Sequence, residues 1–132
     1  MKFLLDTDTC IYGLKQNAVV LKRLLAQKPE DIAVSVITEA ELRTGAAKSG
    51  FAAKTLRLLE NFLRPLAILE FTSSDAETYA QVRAKLERAG TLIGPLDTLI
   101  AAQSVSRKLV LVSNNEREFH RVHGLHVQNW AI

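Results

Sequence analysis

The sequence predicts an α/β fold: a three-layer α/β/α sandwich whose mostly parallel sheet has four or five strands. Short apolar runs alternate along the chain with longer segments whose apolar residues recur every three or four positions, the pattern of βαβ units. The clearest run, residues 109–112, contains only Leu and Val, as expected of a strand buried on both faces. The 132 residues are 48% hydrophobic and contain no Gly- or Pro-rich linker, so we expect one domain over residues 1–132.

The first half of the chain contains two predicted strands, over residues 3–5 and 32–34. After the first strand comes the segment Asp6-Thr7-Asp8-Thr9, whose residue types favour the start of a helix. Helices are predicted over residues 10–15, 19–26, 38–48 and 52–63. Their apolar residues follow helical spacing, and the last three end close to Pro29, Gly50 and Pro65.

The second half contains three more predicted strands, over residues 67–71, 109–112 and 125–128. A long helix is predicted over residues 74–89, with a Ser/Asp start and with Gly90 at its end. Another helix, over residues 95–105, begins at a proline. Ligands of parallel sheets bind beyond the carboxyl ends of the strands, so the residues that follow each strand are the first candidates for a site.

Three acidic residues have surroundings that favour a metal site. Asp6 ends the first strand, whereas Glu41 and Asp97 lie on apolar faces of predicted helices. Carboxylates in such places are costly unless a cation compensates them, and Mg²⁺ or Mn²⁺ prefers oxygen ligands. Each acid also has an ordinary explanation. Asp6 is a possible helix N-cap, Asp97 a favourable charge at a helix start, and Glu41 a partner for Arg43 or Arg83.

Composition excludes several classes of protein. The net charge of +3 permits an anionic partner without requiring one. Cys10 is the only cysteine, which favours a reducing, cytoplasmic location over a disulfide-stabilised secreted fold. No stretch approaches the roughly 20 apolar residues that span a bilayer, so no membrane role is expected.

Four segments in this order resemble the PIN-domain nucleases, and most closely the VapC toxins of bacterial toxin–antitoxin pairs. Residues 3–7 read FLLDT, residues 35–42 read SVITEAEL, residues 93–101 read IGPLDTLIA, and residues 111–119 read LVSNNEREF. The resemblance covers nearly the whole chain. It implies a PIN-like fold with acidic residues grouped around one or two Mg²⁺ or Mn²⁺ ions.

The resemblance also implies which residues form the site. Asp6, Glu41 and Asp97 match the first three acids of the family, as catalytic residues and metal ligands. Many PIN proteins have Asp where Asn114 and Asn115 follow the fourth strand here, and Glu118 becomes the candidate fourth catalytic carboxylate. The implied supporting polar residues are Thr7, Asp8, Ser113 and Asn115. Such a site hydrolyses RNA with activated water, leaving 3′-hydroxyl and 5′-phosphate ends.

Three partners are implied by the same resemblance: a structured RNA such as a tRNA, a cognate antitoxin protein (VapB-like) and a second copy of the chain. Phe51, Leu56, Leu59 and Phe62 are candidates for an antitoxin groove, although core positions are the more common fate of such residues. Basic candidates for RNA contact are Lys48, Lys54, Arg57, Arg83, Lys85, Arg88, Arg107, Lys108, Arg117 and Arg121.

Other functions remain open at the level of sequence. Asp6 and Asp8 also fit the first motif of haloacid-dehalogenase-type phosphatases, in which an aspartate is the nucleophile. A relative that binds RNA or protein without cutting is a third possibility. His120, His123 and His126 are spaced by three residues, but Gly124 interrupts any shared helix, which makes a histidine metal site the weaker interpretation.

Overall fold

A five-stranded, wholly parallel sheet forms the centre of the computed structural model, which describes residues 1–132. Its strands are β1 (Phe3–Leu5), β2 (Ile32–Ser35), β3 (Ala67–Leu69), β4 (Val110–Val112) and β5 (Val127–Gln128). The helices are α1 (Thr7–Leu14), α2 (Ala18–Leu25), α3 (Val36–Lys48), α4 (Ala52–Leu63), α5 (Ser73–Ala89), α6 (Pro95–Arg107) and α7 (Glu116–Phe119). The predicted α/β/α fold class is confirmed.

The strand order β3-β2-β1-β4-β5 places β1 at the centre, paired with β2 and β4. The chain adds strands outward from β1 to β3, then returns to the other side of β1 for β4 and β5. In open α/β sheets, such a reversal creates a crevice beyond the carboxyl ends of the two adjoining strands, where ligands bind. Asp6 follows β1 and Ser113 follows β4, so this crevice is where the sequence placed its candidate site.

Strands β1, β2 and β4 are buried on both faces, which explains their continuous apolar runs. Phe3 and Leu5 belong to a core layer with residues of α1, α3 and α4, including Cys10, Leu42 and Leu59. The intervening Leu4 belongs to a second layer, with residues of α5, α6 and α7. Burying both faces of this sheet is the main apolar stabilisation of the fold, and it holds the carboxyl edge of the strands rigidly between two helical layers.

The α5–α6 pair is fixed by a buried acid. The Asp75 side chain is fully buried and accepts hydrogen bonds from Nε and Nη2 of Arg107 at 3.1 and 3.0 Å. Burial alone would raise the pKa of Asp75, but the hydrogen bonds from Arg107 and from the Thr72 backbone outweigh it and lower the pKa. Arg107 also donates to the Glu70 carbonyl. Arg107 therefore has a structural role, and its selection as an RNA contact stays a prediction.

The element boundaries differ from the predictions at a few points. Strand β3 ends at Leu69 rather than at residue 71, and β5 begins at Val127 rather than at residue 125. Helix α7 and the 3-10 turn Pro29–Asp31 were not predicted, because a segment of three or four residues is too short to show a period. No helix is both long enough and apolar enough to cross a bilayer.

Candidate active site

Asp6 lies at the junction between β1 and α1 and is only 3% exposed. Its carboxylate caps α1 by accepting a hydrogen bond from the Thr9 backbone N–H at 2.8 Å, and the Ser113 hydroxyl acts to lower its pKa. Burial raises the pKa of Asp6, and the charge of Asp8 adds to this rise while the hydrogen bonds oppose it. The N-cap role considered for Asp6 is therefore real, and it coexists with a position at the crevice.

Glu41 is brought to the same edge by α3. This helix begins directly after β2, with the Ser35 hydroxyl capping it by accepting from the Ile37 N–H at 3.1 Å. The half-buried Glu41 accepts a hydrogen bond from the Thr7 hydroxyl at 2.7 Å. Thr7 Oγ1 also lies 3.2 Å from Oγ1 of the buried Thr38. Thr7 thus joins the first turn of α1 to the carboxylate of α3.

Asp97 lies in the first turn of α6, and its pKa is raised to about 6. Burial is the largest cause, followed by the negative charges of Glu118, Asp6, Glu41 and Asp8. The other predicted carboxylates therefore all act on Asp97 at once, although they come from three separate regions of the chain. The sequence-predicted acids converge on one place.

Glu118 enters this cluster through the loop that follows β4. Asn115 precedes α7 and donates from Nδ2 to Glu118 Oε2 at 2.7 Å, while its backbone N–H donates to the Ser113 hydroxyl at 2.9 Å. The same Ser113 hydroxyl acts to lower the pKa of Asp6. Ser113 and Asn115 therefore supply polar groups to the carboxylates of Asp6 and Glu118.

The cluster has no protein cation to balance it. None of the chain's salt bridges includes Asp6, Glu41, Asp97 or Glu118. The two arginines considered as partners of Glu41 are used elsewhere: Arg43 pairs with Glu39 and Glu60, and Arg83 pairs with Glu87. Ion pairing therefore does not explain why these carboxylates gather at one edge.

The donor set fits a hydrated divalent cation. No three His, Cys, Asp or Glu side chains come close enough to surround one metal ion by themselves, so a closed cage of Asp6, Glu41 and Asp97 is not formed. His120, His123 and His126 form no such group either. Mg²⁺, however, commonly keeps several waters and takes only one or two carboxylates from the protein. Uncompensated carboxylate oxygens at a crevice match that requirement.

Two threonines contribute more than the sequence indicated. Thr9 is buried, and its hydroxyl donates to the Val112 carbonyl at 3.0 Å, which ties α1 to the end of β4. The fully buried Thr38 supports Thr7. The sequence feature that could have indicated a role for Thr38 is its position three residues before Glu41, on the same face of the helix. Asp8 is exposed and acts on the cluster through its charge.

An apolar groove of about 400 Å³ runs between α1, α3 and α4 and reaches Glu41. Its apolar lining includes Ile11, Leu14, Leu42, Leu58 and Leu59. Of the four residues predicted for a groove, only Leu59 lines this one. Leu56 and Phe62 pack against the core, and Phe51 is 78% exposed outside the lining. The half-exposed Leu58 was missed, because its helical position did not distinguish it from its buried neighbours.

The PIN-domain family model matches residues 3–125 of the chain. Two relatives cover 99% of this chain with 99% of their own length: the tRNA(fMet)-specific endonuclease VapC of Salmonella typhimurium, 38% identical, and the ribonuclease VapC2 of Haemophilus influenzae, 39% identical. These matches favour the nuclease interpretation over the phosphatase alternative.

Solved structures agree with the sequence relatives. A crystal structure of DNA-bound VapBC from Salmonella typhimurium contains a chain with a TM-score of 0.94 and 38% identity, covering 98% of each chain. VapBC2 from Rickettsia felis, bound to a DNA fragment from its promoter, has a TM-score of 0.93 and 35% identity, covering 98% of this chain and 99% of that one. The chain therefore belongs to the PIN-domain family, in the group that includes the VapC ribonucleases.

Proposed function

We propose that this protein is a metal-dependent endoribonuclease, the toxin of a toxin–antitoxin pair, that hydrolyses structured RNA such as a tRNA. The convergence of four unpaired carboxylates beyond β1 and β4 carries the proposal. It is supported by relatives whose names describe a tRNA(fMet)-specific endonuclease and ribonucleases.

Asp6 and Asp97 are the proposed direct metal ligands, and Glu41 binds the ion directly or through water. When bound, Mg²⁺ or Mn²⁺ lowers the pKa of water and neutralises charge on the phosphate. Thr7 orients Glu41, and Asn115 holds Glu118 toward the same crevice. Because the nucleophile is water rather than the ribose 2′-hydroxyl, we expect 3′-hydroxyl and 5′-phosphate products.

The inhibitory partner is proposed to occupy the apolar groove between α1, α3 and α4. The similar solved structures include VapBC complexes. One of them, VapBC-5 from Mycobacterium tuberculosis, is described as a member of the VapBC family of toxin–antitoxin systems. Glu41 is one of the residues that line the groove, so a segment bound there contacts the carboxylate cluster and blocks it. A homodimer and a cytoplasmic location, both predicted from the sequence, are part of the same proposal.

Cleavage of labelled RNA in Mg²⁺, Mn²⁺ and EDTA tests the proposal. We expect cleavage with either metal ion and none in EDTA. We also expect Asp97→Asn to reduce the rate at least about 100-fold. Loss of a residue that only supports a metal ligand costs up to about 100-fold, and loss of a direct ligand should cost at least as much. Asp97 is preferred to Asp6 for this test because Asp6 also caps α1.

Asp31→Asn is the matched control, because Asp31 lies at the opposite edge of the sheet and pairs with the N-terminus and Lys2. It should cut RNA at the wild-type rate. Products with 2′,3′-cyclic phosphate ends, or undiminished cleavage in EDTA, would contradict metal-assisted hydrolysis. Activity on p-nitrophenyl phosphate through a phosphoenzyme would instead favour the phosphatase alternative.

A further inference from the structure

A second cavity, of about 240 Å³, lies on the other side of the sheet from the apolar groove, between α5 and the segment that follows α7. Residues along one face of α5 form its wall from Thr78 to Ala89, and Arg121, Val122 and His123 close the other side. These α5 positions are eleven residues apart, so the cavity is about 16 Å long at the helical rise of 1.5 Å per residue. We call it the α5 channel.

The charge of the α5 channel has one sign. Its titratable lining residues are Lys85, Arg121 and His123, and no acidic residue lines it. All three side chains are exposed, and none takes part in a salt bridge. Arg83, which lies on the same helix but outside the lining, pairs with Glu87. A lining of unpaired basic groups favours an anionic ligand.

The floor of the channel is apolar. Val82, Leu86 and Val122 line it, and the last two are buried. Threonine hydroxyls from Thr78 and Thr91 supply neutral hydrogen-bonding groups beside the cations. A polymer with a regularly spaced negative backbone and flat, partly apolar bases suits such a channel better than a compact inorganic anion does.

One end of the channel is joined to the carboxylate cluster. The Arg121 backbone N–H donates to the Glu118 carbonyl at 3.0 Å, and Arg121 Nη1 donates to the Leu92 carbonyl at 3.0 Å. Leu92 belongs to the short connection that leads into α6, where Asp97 occupies the first turn. Arg121 therefore connects the end of α7, which carries Glu118, to the segment that leads into α6, which carries Asp97.

We propose that the α5 channel binds the phosphodiester backbone of the RNA substrate next to the bond that is cut, with Lys85, Arg121 and His123 as phosphate contacts. This inference rests on the proposed ribonuclease function and identifies where the substrate strand runs. The acidic cluster repels phosphates, so the substrate needs basic contacts elsewhere on the protein, and this cavity supplies three of them. An acidic peptide is the competing occupant, and the test separates the two.

Charge reversal by Lys85→Glu tests the proposal in the cleavage-deficient Asp97→Asn background, so that RNA remains intact during binding. Both residues are good helix formers, so α5 should persist. We expect at least tenfold weaker binding to a labelled tRNA by fluorescence anisotropy. We also expect the slope of log K against log salt to fall by about one, as for the loss of one phosphate contact.

Lys28→Glu is the control, since it makes the same charge change at the amino edge of the sheet, before β2. Affinity and salt slope should stay at the values of the Asp97→Asn parent. With Asp97 restored, Lys85→Glu should raise KM while leaving kcat unchanged, because the removed contact is made equally in the ground and transition states. His123→Ala should act in the same direction and more weakly.

Equal effects of Lys85→Glu and Lys28→Glu would show a general charge effect and overturn the proposal. So would an unchanged salt slope, or a Lys85→Glu variant that loses affinity for an acidic peptide but not for RNA. A protein that binds RNA through Lys85 yet cuts none in either metal ion would overturn the proposed function and leave this inference standing. Normal cleavage with an unchanged KM in Lys85→Glu would instead overturn this inference and leave the proposed function standing.

Discussion

At the scale of single residues, the site depends on hydroxyl groups that fix carboxylates. A free carboxylate on a helix samples several rotamers, and a hydrogen bond to one oxygen selects among them. Thr7 performs this role for Glu41, and the Ser113 hydroxyl acts to lower the pKa of Asp6. The carboxylates could be predicted as site residues from the sequence, because a charged residue on an apolar face is unusual. The role of a hydroxyl group can be recognised only when its hydrogen-bond partner is known.

Thr7→Val removes the hydroxyl that holds Glu41 while keeping the branched shape of the side chain. We expect a fall of about tenfold in kcat, the range for loss of an outer partner of a metal ligand, and restoration to near wild type in Thr7→Ser. Single-turnover cleavage in Mg²⁺ measures both. Thr44→Val, whose hydroxyl bonds only the Ala40 carbonyl of its own helix, should leave the rate unchanged. A Thr7→Ser variant as slow as Thr7→Val would contradict the positioning role.

At the scale of helices and strands, the α5–α6 pair depends on the contact between Asp75 and Arg107. Asp75→Asn leaves the partly exposed Arg107 without its buried partner, and we expect a loss of about 3 kcal/mol in the free energy of unfolding, at the lower end for breaking a buried pair. Urea unfolding followed by circular dichroism measures this loss. Glu87→Gln, which removes an exposed pair more than two turns beyond Asp75 on α5, should leave the midpoint unchanged.

The same contact predicts a pH dependence. Folding lowers the pKa of Asp75, so its stabilisation is fully present above its ordinary pKa near 4 and is lost as the pH falls through the lower, folded-state value. The difference in unfolding free energy between wild type and Asp75→Asn should therefore be large at pH 7 and shrink toward pH 3. A difference that stays constant across this range would show that the charge of Asp75 is not what stabilises the pair.

The predictability of each element follows from the strength of its pattern. Strands β1, β2 and β4 were predictable because burial on both faces makes them continuously apolar, and α4 was placed at its observed bounds by its regular leucines and the following Pro65. Helix α7 was not predictable, since only Phe119 of its four residues is buried. The roles of Arg107 and Leu58 depend on contacts with distant segments, which no local pattern specifies.

At the scale of the whole molecule, a cluster of negative charge lies within a chain of net charge +3. The repulsion that raises the pKa of Asp97 also destabilises the folded state, and a divalent cation bound there relieves it. Because the unfolded chain lacks the cluster, such an ion stabilises the folded form by mass action. The stability of the protein should therefore report on metal binding independently of catalysis.

Thermal unfolding with and without Mg²⁺ or Mn²⁺ measures this linkage. At an ion concentration tenfold above Kd we expect about 1.4 kcal/mol of stabilisation, or a rise of roughly 4 °C in Tm. NaCl at matched ionic strength should not reproduce the rise, and Asp97→Asn should lose most of it. Glu39→Gln, which changes an acid paired with Arg43, should retain the full rise. An equal rise in Asp97→Asn would place the ion elsewhere.

The pairing of β4 with β1 has consequences for a protein still being made. Residues far apart in the sequence meet there: Asp6 is synthesised well before Asp97, Ser113 and Glu118. A nascent polypeptide that stops at α4 holds two of the four acids and none of the strand that completes the crevice. We expect such a polypeptide to leave cellular RNA intact, so that cleavage begins only after β4 and α7 have been synthesised.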